Sequence, residues 1–196
     1  MRPESVARRV TDAVVRRPWL WRVFRGRTQR LFDALAPSWD TRLGPHHLLA
    51  LEQAVAGLEP KTILDVGTGT GKAAIALAAW YPNADVVGVD LSAAMVTEAR
   101  KHVSDRPRFE VADASRLPFP NASFDLVVLM NAIPFFDELA RVTAAGGAVV
   151  NSYSRGDETP IYVSDDRLQR ELERRGFADF ASFPAPPATA FRARKR

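Results

Sequence analysis

The sequence predicts an α/β protein with a doubly wound, mostly parallel sheet. Segments of strand character alternate with helical segments between residues 62 and 153. The segment DVVGVD (85–90) is nearly continuous in apolar residues, which is typical of a parallel strand buried on both faces. Alternating strands and helices form such a sheet through right-handed crossovers, with helices on both faces. Ligands of these sheets bind at the carboxyl ends of the strands.

Composition bounds the class of protein. The 196 residues are enough for one domain with a full core, and 46% hydrophobic and 26% charged residues are ordinary for a globular chain. The chain has no cysteine, which excludes disulfides and cysteine-based metal or catalytic sites. The apolar runs are too short to cross a bilayer and no signal-peptide core follows the basic N-terminus, so we predict a cytoplasmic protein.

The positive charge is concentrated at the two ends of the chain. Residues 1–30 contain nine arginines against Glu4 and Asp12, and the last six residues add a further charge of +4. The residues between 31 and 190 are therefore net acidic. A basic pI suggests nucleic acid only when the basicity belongs to the whole domain, so this distribution argues against a nucleic-acid partner.

Two units follow from the helical and strand patterns. Residues 1–45 form an N-terminal helical arm, with apolar helical spacing from residue 4 to residue 35, a break at Pro18 and a loop over 36–45. Residues 46–196 form one compact domain that begins with a helix over 46–60. Ser92 and Ser164 are predicted N-caps. The other predicted helices are 71–81, 92–103, 134–147 and 164–177, and the predicted strands are 62–66, 85–90, 108–113, 124–131, 148–153, 177–183 and 189–194.

A glycine loop follows the first of these strands, in the segment TILDVGTGTGKAA (62–74). A phosphate-binding P-loop fails, because Val66 stands where its first glycine is needed and Ala73 replaces its Ser or Thr. The dinucleotide pattern GxGxxG, with Ala tolerated last, fits only when it starts at Gly69, and it then ignores Gly67. The pattern DxGxGxG accounts for the whole segment.

With this loop the chain resembles the class I S-adenosylmethionine-dependent methyltransferases. Segments 87–100, 111–128 and 138–150 are similar to the family's later motifs, in the same order. The resemblance implies a Rossmann-like sheet of seven strands with the last one antiparallel. It also implies S-adenosylmethionine as the cofactor and methyl transfer to O, N or C of a small-molecule or lipid-like acceptor.

The resemblance also implies a set of cofactor contacts. Asp65 receives the ammonium group, Asp90 accepts the ribose hydroxyls, and Asp113 binds the adenine amino group. The alternatives are helix capping for Asp65 and Asp90, a solvated turn for Asp113, and plain core packing for Met95. The implied cofactor-binding residues are Trp39, Asp65, Gly67, Thr68, Gly69, Gly71, Asp90, Leu91, Met95, Asp113, Ala114 and Asn131.

No catalytic residue stands out in the sequence. The sulfonium of the cofactor is already activated, so the protein mainly aligns and desolvates the reactants. Asn131, at the end of the fourth strand, and His47 are candidates, against the alternatives of a hydrogen-bonded loop amide and a surface histidine. Three histidines without metal-ligand spacing predict no metal. A catalytically silent cofactor-binding module is the main alternative function, and a dehydrogenase is the third.

The arm interleaves arginine with tryptophan and phenylalanine in the segment RRPWLWRVFRGRTQR (16–30). Three interpretations stay open: a lid packed on the domain, a contact with an anionic membrane surface, and RNA binding. The segment FDALAPSWD (32–40) resembles the one that quinone C-methyltransferases carry before the cofactor domain. We expect the arm to form the lid of the site. The oligomeric state does not follow from the sequence.

Overall fold

The structure, a computed structural model, describes residues 3–42, 44 and 46–196. One mixed sheet of seven strands forms its centre, as the sequence predicts. The strands are β1 (Thr62–Val66), β2 (Asp85–Asp90), β3 (Arg108–Val111), β4 (Phe124–Met130), β5 (Thr143–Tyr153), β6 (Phe177–Ala185) and β7 (Ala188–Lys195).

The strand order is β3-β2-β1-β4-β5-β7-β6. The first five strands in this order are parallel to one another, and β7 runs antiparallel between β5 and β6. The chain moves outward from β1 to β3 and then returns to the other side of β1 as β4. The carboxyl ends of β1, β2 and β4 therefore meet at the switch point, where such sheets bind ligands.

Helices cover both faces of the sheet. Because side chains alternate along a strand, Val127 and Leu129 belong to one apolar core, whereas Leu126 and Val128 belong to the other. The first core is closed by α6 and α7, and the second by α3, α4 and α5. The helices are α1 (Pro3–Arg16), α2 (Trp21–Leu35), α3 (Leu49–Val55), α4 (Lys72–Trp80), α5 (Ala93–Arg100), α6 (Phe136–Val142) and α7 (Asp165–Glu173).

The predicted helix over 134–147 is wrong in its second half. Helix α6 ends at Val142, and Thr143 already belongs to β5. Phe124 pairs with Thr143, but Leu126 pairs with Ala148, so the residues between them bulge out of the ladder. Gly146, with φ +75°, permits this bulge. Helical spacing alone does not reveal a bulge that only the pairing with β4 imposes.

Three other local predictions also need correction. Residues Ala36–Arg42 form a 3₁₀ helix rather than a loop, and the helix predicted over 46–60 is limited to α3. Ser164 holds the N-cap position of α7, but its side chain makes no capping hydrogen bond. Ser92 does cap α5, because its hydroxyl accepts from the Met95 amide. The predicted boundary at 45/46 lies beside Pro45, outside the described residues.

The arm packs against the domain. The predicted break at Pro18 is confirmed, since a short 3₁₀ turn separates α1 from α2. Val14 and Trp21 are buried against Phe135 of the domain. The Arg8 guanidinium donates to backbone carbonyls of the loop that follows β5, including that of Thr159 at 2.9 Å. The described part of the arm is thus fixed to the sheet's ligand-binding edge.

Candidate functional site

A cavity of about 630 Å³ lies at the carboxyl ends of β1, β2 and β4. Its floor is formed by the sheet and the glycine loop, and we call this part the cofactor end. Its roof is formed by the arm, and we call this part the arm end. The cofactor end includes Asp65, Gly67, Thr68, Gly69, Asp90, Leu91, Met95, Ala114 and Asn131, and the arm end includes Val6, Val10, Thr11, Trp21, Phe24, Arg27, Leu31, Phe32 and Trp39.

The glycine loop needs its glycines for two different reasons. Gly67, Gly69 and Gly71 all have positive φ, at +72°, +55° and +85°. Gly67 and Gly69 line the cavity. Gly71 is not among the described lining residues, and a Cβ there would lie 2.6 Å from the ring of Phe109. Its glycine therefore serves close packing under the loop.

Asp65 places an incompletely paired carboxylate in the cavity wall. It is buried at the end of β1, and its Oδ2 accepts from the Thr68 hydroxyl at 2.6 Å. Its Oδ1 has no hydrogen-bond partner among the described residues. Burial raises the pKa of Asp65 to about 7, against the opposing effects of the Thr68 hydroxyl and the Ala74 backbone amide. A cationic ligand group would supply the missing partner and favour the ionised form.

Asp90 joins the glycine loop to the end of β2. Its Oδ2 accepts from the Gly69 amide at 2.9 Å, and its Oδ1 accepts from the Ser92 amide at 2.9 Å. The pKa of Asp90 is raised overall, because the effect of burial outweighs the lowering by these two amide hydrogen bonds. A carboxylate has about four acceptor sites, so capacity remains for hydroxyl donors from the cavity.

Residues of the arm form a hydrogen bond and an ion pair with the carboxylate of Asp113. Its Oδ1 accepts from the Trp21 indole Nε1 and from the Ser115 amide, each at 2.9 Å, and Arg25 lies 3.5 Å from its Oδ2. Asp113 is not among the described residues that line the cavity, whereas Ala114 is. The Asp113 carboxylate therefore contacts α2 in this structure, and its contact with adenine stays a prediction.

The two catalytic candidates are in different surroundings. Asn131 lines the cavity, with φ +53°, and its side-chain amide exchanges two 3.0 Å hydrogen bonds with Ser154. His47 lies outside the set of described lining residues, and its Nδ1 is 2.6 Å from the carbonyl of Gly44. Of the two candidates, Asn131 therefore lies at the cavity and His47 lies outside its described lining.

The end of the arm contacts the glycine loop directly. Trp39 lines the cavity and packs edge-on against Phe32, with ring centroids 5.5 Å apart. Asp40 accepts from the Thr70 hydroxyl at 2.5 Å and pairs with Lys72 at 2.8 Å. Burial raises the pKa of Asp40, but these hydrogen bonds outweigh it, and the net shift is downward.

The comparisons with known proteins agree with this geometry. Residues 63–148 match a family model described as a methyltransferase domain. A demethylmenaquinone methyltransferase from Thermus thermophilus is 42% identical over 112 residues, covering 52% of this chain and 49% of the relative. A malonyl-acyl-carrier-protein O-methyltransferase from Geobacter sulfurreducens is 33% identical over 158 residues, covering 65% of this chain and 59% of the relative.

These matches support a class I S-adenosylmethionine-dependent methyltransferase domain over the matched part of the chain. The chain spans about half the length of the curated relatives it matches. The solved phosphoethanolamine N-methyltransferase 2 of Haemonchus contortus, in complex with S-adenosylmethionine, has a TM-score of 0.63 and 17% identity. That match covers 76% of this chain and 52% of the other, and it shows a common fold.

The family motifs left the arm end of the cavity unassigned. Its lining side chains come from α1 and α2, whose helical spacing predicted one buried face without indicating what that face would cover. Phe135 and Ile161, from loops of the domain, complete this end. The signal in the sequence was the apolar stripe of these two helices.

Two further observations concern membranes and metals. Across the described residues, no helix combines the length and the apolar character needed to cross a bilayer. Within residues 3–42, 44 and 46–196, no group of three or more His, Asp or Glu side chains is placed to hold a metal ion. The absence of a metal from the reaction stays a prediction.

Proposed function

We propose that this chain transfers a methyl group from S-adenosylmethionine to a small-molecule or lipid-like acceptor. The observation that carries the proposal is a pair of carboxylates at adjacent strand ends of one cavity, the buried Asp65 and the partly buried Asp90. Asp65 has an unpartnered oxygen, and Asp90 is fixed by two backbone amides. One acid suits an ammonium group, and the other suits a pair of hydroxyls.

The residues of the cofactor end fit the chemistry of that ligand. The Asp65 Oδ1 gains a charged partner, the Asp90 carboxylate accepts ribose hydroxyls, and Leu91 and Met95 offer apolar contact to a base. Gly67 and Gly69 allow the backbone to approach closely. When bound, S-adenosylmethionine supplies an activated methyl group on a sulfonium. Alignment and exclusion of water by the surrounding walls can contribute roughly 7–11 kcal/mol to such a displacement.

The acceptor belongs at the arm end. This end is built mainly from apolar side chains, including Val10, Phe24 and Phe135, and it adjoins Asn131 at the end of β4. An apolar wall favours an apolar acceptor body. The relatives named as a demethylmenaquinone methyltransferase and as a malonyl-acyl-carrier-protein O-methyltransferase support a small-molecule or lipid-like acceptor.

The arm is the lid of this site in our proposal, and residues 1–45 and 46–196 are its two functional units. The described part of the arm is tied to the domain near both ends of the cavity. Arg8 bonds the loop after β5, Trp21 bonds Asp113, and Asp33 accepts from Ser92 at 2.5 Å. A lid held at these points shields the sulfonium from water.

We also propose that the arm contacts the surface of an anionic membrane. Trp19 and Val23 are 63% and 68% exposed, beside the exposed arginines Arg16, Arg17 and Arg22. Val6 and Leu31 are also exposed and line the cavity, so the arm has exposed apolar side chains at the cavity as well. Arginines attract anionic lipid headgroups, and the apolar side chains can enter the interface.

Vesicle sedimentation tests the membrane contact. We expect binding to phosphatidylglycerol-containing vesicles and none to phosphatidylcholine alone. Trp19→Ala with Val23→Ala should weaken it severalfold, since both side chains are exposed and their loss leaves the fold intact. Equal binding to both vesicle types, or no effect of the double variant, would refute the contact.

Calorimetry with S-adenosylhomocysteine and, separately, with NAD tests the function itself. We expect micromolar binding of the first ligand alone. Asp90→Ala should weaken it by at least about 100-fold, because two hydroxyl contacts and the anchor of Gly69 are lost. The control is Asp85→Ala, at the opposite end of β2, where the carboxylate is exposed and pairs with Arg108. Binding of NAD alone would favour the dehydrogenase, and binding without turnover of any acceptor would favour a silent module.

A further inference from the structure

The arm end contains one polar side chain in an unusual state. Thr11 of α1 is fully buried and lines the cavity. Its hydroxyl has no hydrogen-bond partner in the part of the chain that the structure describes. A buried hydroxyl without a partner costs roughly 1–3 kcal/mol, so such groups normally require an explanation.

Other threonines of this protein form a hydrogen bond that Thr11 lacks. The hydroxyl of a helical threonine usually donates to the carbonyl four residues earlier. Thr97 of α5 bonds the Ala93 carbonyl at 2.8 Å, and Thr143, directly after α6, bonds the Leu139 carbonyl at 2.6 Å. Thr11 lies in the middle of α1 and makes no such bond. Its hydroxyl is therefore unsatisfied within the helix, and a partner would have to reach it from the cavity that Thr11 lines.

The residues near Thr11 on α1 indicate that an apolar side chain would fit its position equally well. Val14 and Val15, on the same side of α1, are buried and apolar. Valine has nearly the same shape as threonine and would fill position 11 without an unsatisfied hydroxyl. A polar side chain at a buried apolar position is expected where function requires it.

We propose that Thr11 binds the methyl acceptor and that the acceptor carries a neutral oxygen, a hydroxyl or a carbonyl, on an apolar body. This inference rests on the proposed function and names the acceptor's chemical class. A hydroxyl can donate to a carbonyl or accept from a hydroxyl. A charged oxygen fits poorly, because most side chains of this end are apolar and the carboxylates of Asp65 and Asp90 in the same cavity disfavour an anion. Arg27, the cation named at this end, is exposed to solvent.

A matched pair of probes tests the assignment. Binding of 2-naphthol and of naphthalene is measured with S-adenosylhomocysteine at saturation, for the wild-type protein and for Thr11→Val and Thr11→Ser. The two probes differ by one oxygen, and the variants differ by one hydroxyl or one methyl group. The four combinations of probe and hydroxyl form a cycle that isolates the contact. Thr97→Val is the control, since that hydroxyl is exposed and bonded within its own helix.

We expect Thr11→Val to weaken 2-naphthol binding about tenfold and to leave naphthalene within about twofold, since only 2-naphthol loses a hydrogen bond. Thr11→Ser should keep most of the preference, and Thr97→Val should change neither probe. Equal losses for both probes, no loss for either, or no binding of either probe to the wild type would overturn the inference. Failure of S-adenosylhomocysteine itself to bind would instead refute the proposed function.

Discussion

The two ends of the cavity are held together in different ways. At the cofactor end the contacts are short in sequence: Asp65 bonds Thr68 three residues away, and Asp90 bonds Gly69 across 21 residues. At the arm end they are long, as between Trp21 and Asp113, 92 residues apart. The cofactor end is specified by one β-α-β unit, whereas the arm end depends on where α1 and α2 dock. We therefore expect the cofactor end to be rigid and the arm end to open separately.

The largest expected effect tests the rigidity of the cofactor end. Gly71 and Gly176 have nearly the same φ, +85° and +84°, but a Cβ at Gly71 would meet Phe109 at 2.6 Å, whereas no described atom lies within 4 Å at Gly176. Gly71→Ala should cost roughly 2–5 kcal/mol of unfolding free energy, from backbone strain plus overpacking. Gly176→Ala should cost about 1–2 kcal/mol from strain alone. Urea unfolding measures both.

Equal losses for the two alanine variants would contradict the idea that packing under the loop is tight. Phe109→Leu in the Gly71→Ala background removes the clashing ring atoms and should recover part of the difference. No recovery would mean that the cost at Gly71 is conformational.

This contrast also explains how much could be predicted from the sequence. The order of strands and helices, the glycine loop, and the placement of Asp65 and Asp90 all depend on short spacings, and the structure has them where the pattern predicts. Two features depend on long-range contacts and were not predicted. The bulge after Val142 depends on pairing with β4, and the Asp113 carboxylate accepts a hydrogen bond from the arm. Neither contact leaves a local pattern in the sequence.

The next effect uses the unpaired oxygen of Asp65. Its pKa of about 7 lies above the ordinary value near 3.8, so at pH 6 the carboxyl is largely protonated before a ligand ammonium binds. Binding must then release a proton. The affinity for S-adenosylhomocysteine should therefore rise about tenfold per unit between pH 5.5 and 6.5 and flatten above about pH 7. Calorimetry in two buffers of different ionisation enthalpy detects the proton.

Asp65→Asn removes the titrating group and is the control for this effect. Its ligand affinity should be weak and nearly independent of pH over the same range. The unliganded protein gives a second check, because its carboxyl keeps a proton that the unfolded chain has lost between about pH 4 and 7. The unfolding free energy of the wild type should accordingly fall, relative to the variant, as the pH rises through that window. A flat wild-type affinity would contradict the proposed ammonium contact.

The smallest effect tests whether the arm end opens separately. Trp21→Phe keeps an aromatic ring against Phe135, whose centroid lies 5.5 Å away, but removes the indole hydrogen bond to Asp113. That bond is worth about 1 kcal/mol, so hydrogen exchange of the α1 and α2 amides should quicken about fivefold while β1 and β2 stay protected. Trp19→Phe, at an exposed position, should leave both regions unchanged. If exchange instead quickens equally in α2 and β1, the two ends unfold as one unit, and the arm is part of the domain core and not a lid that opens on its own.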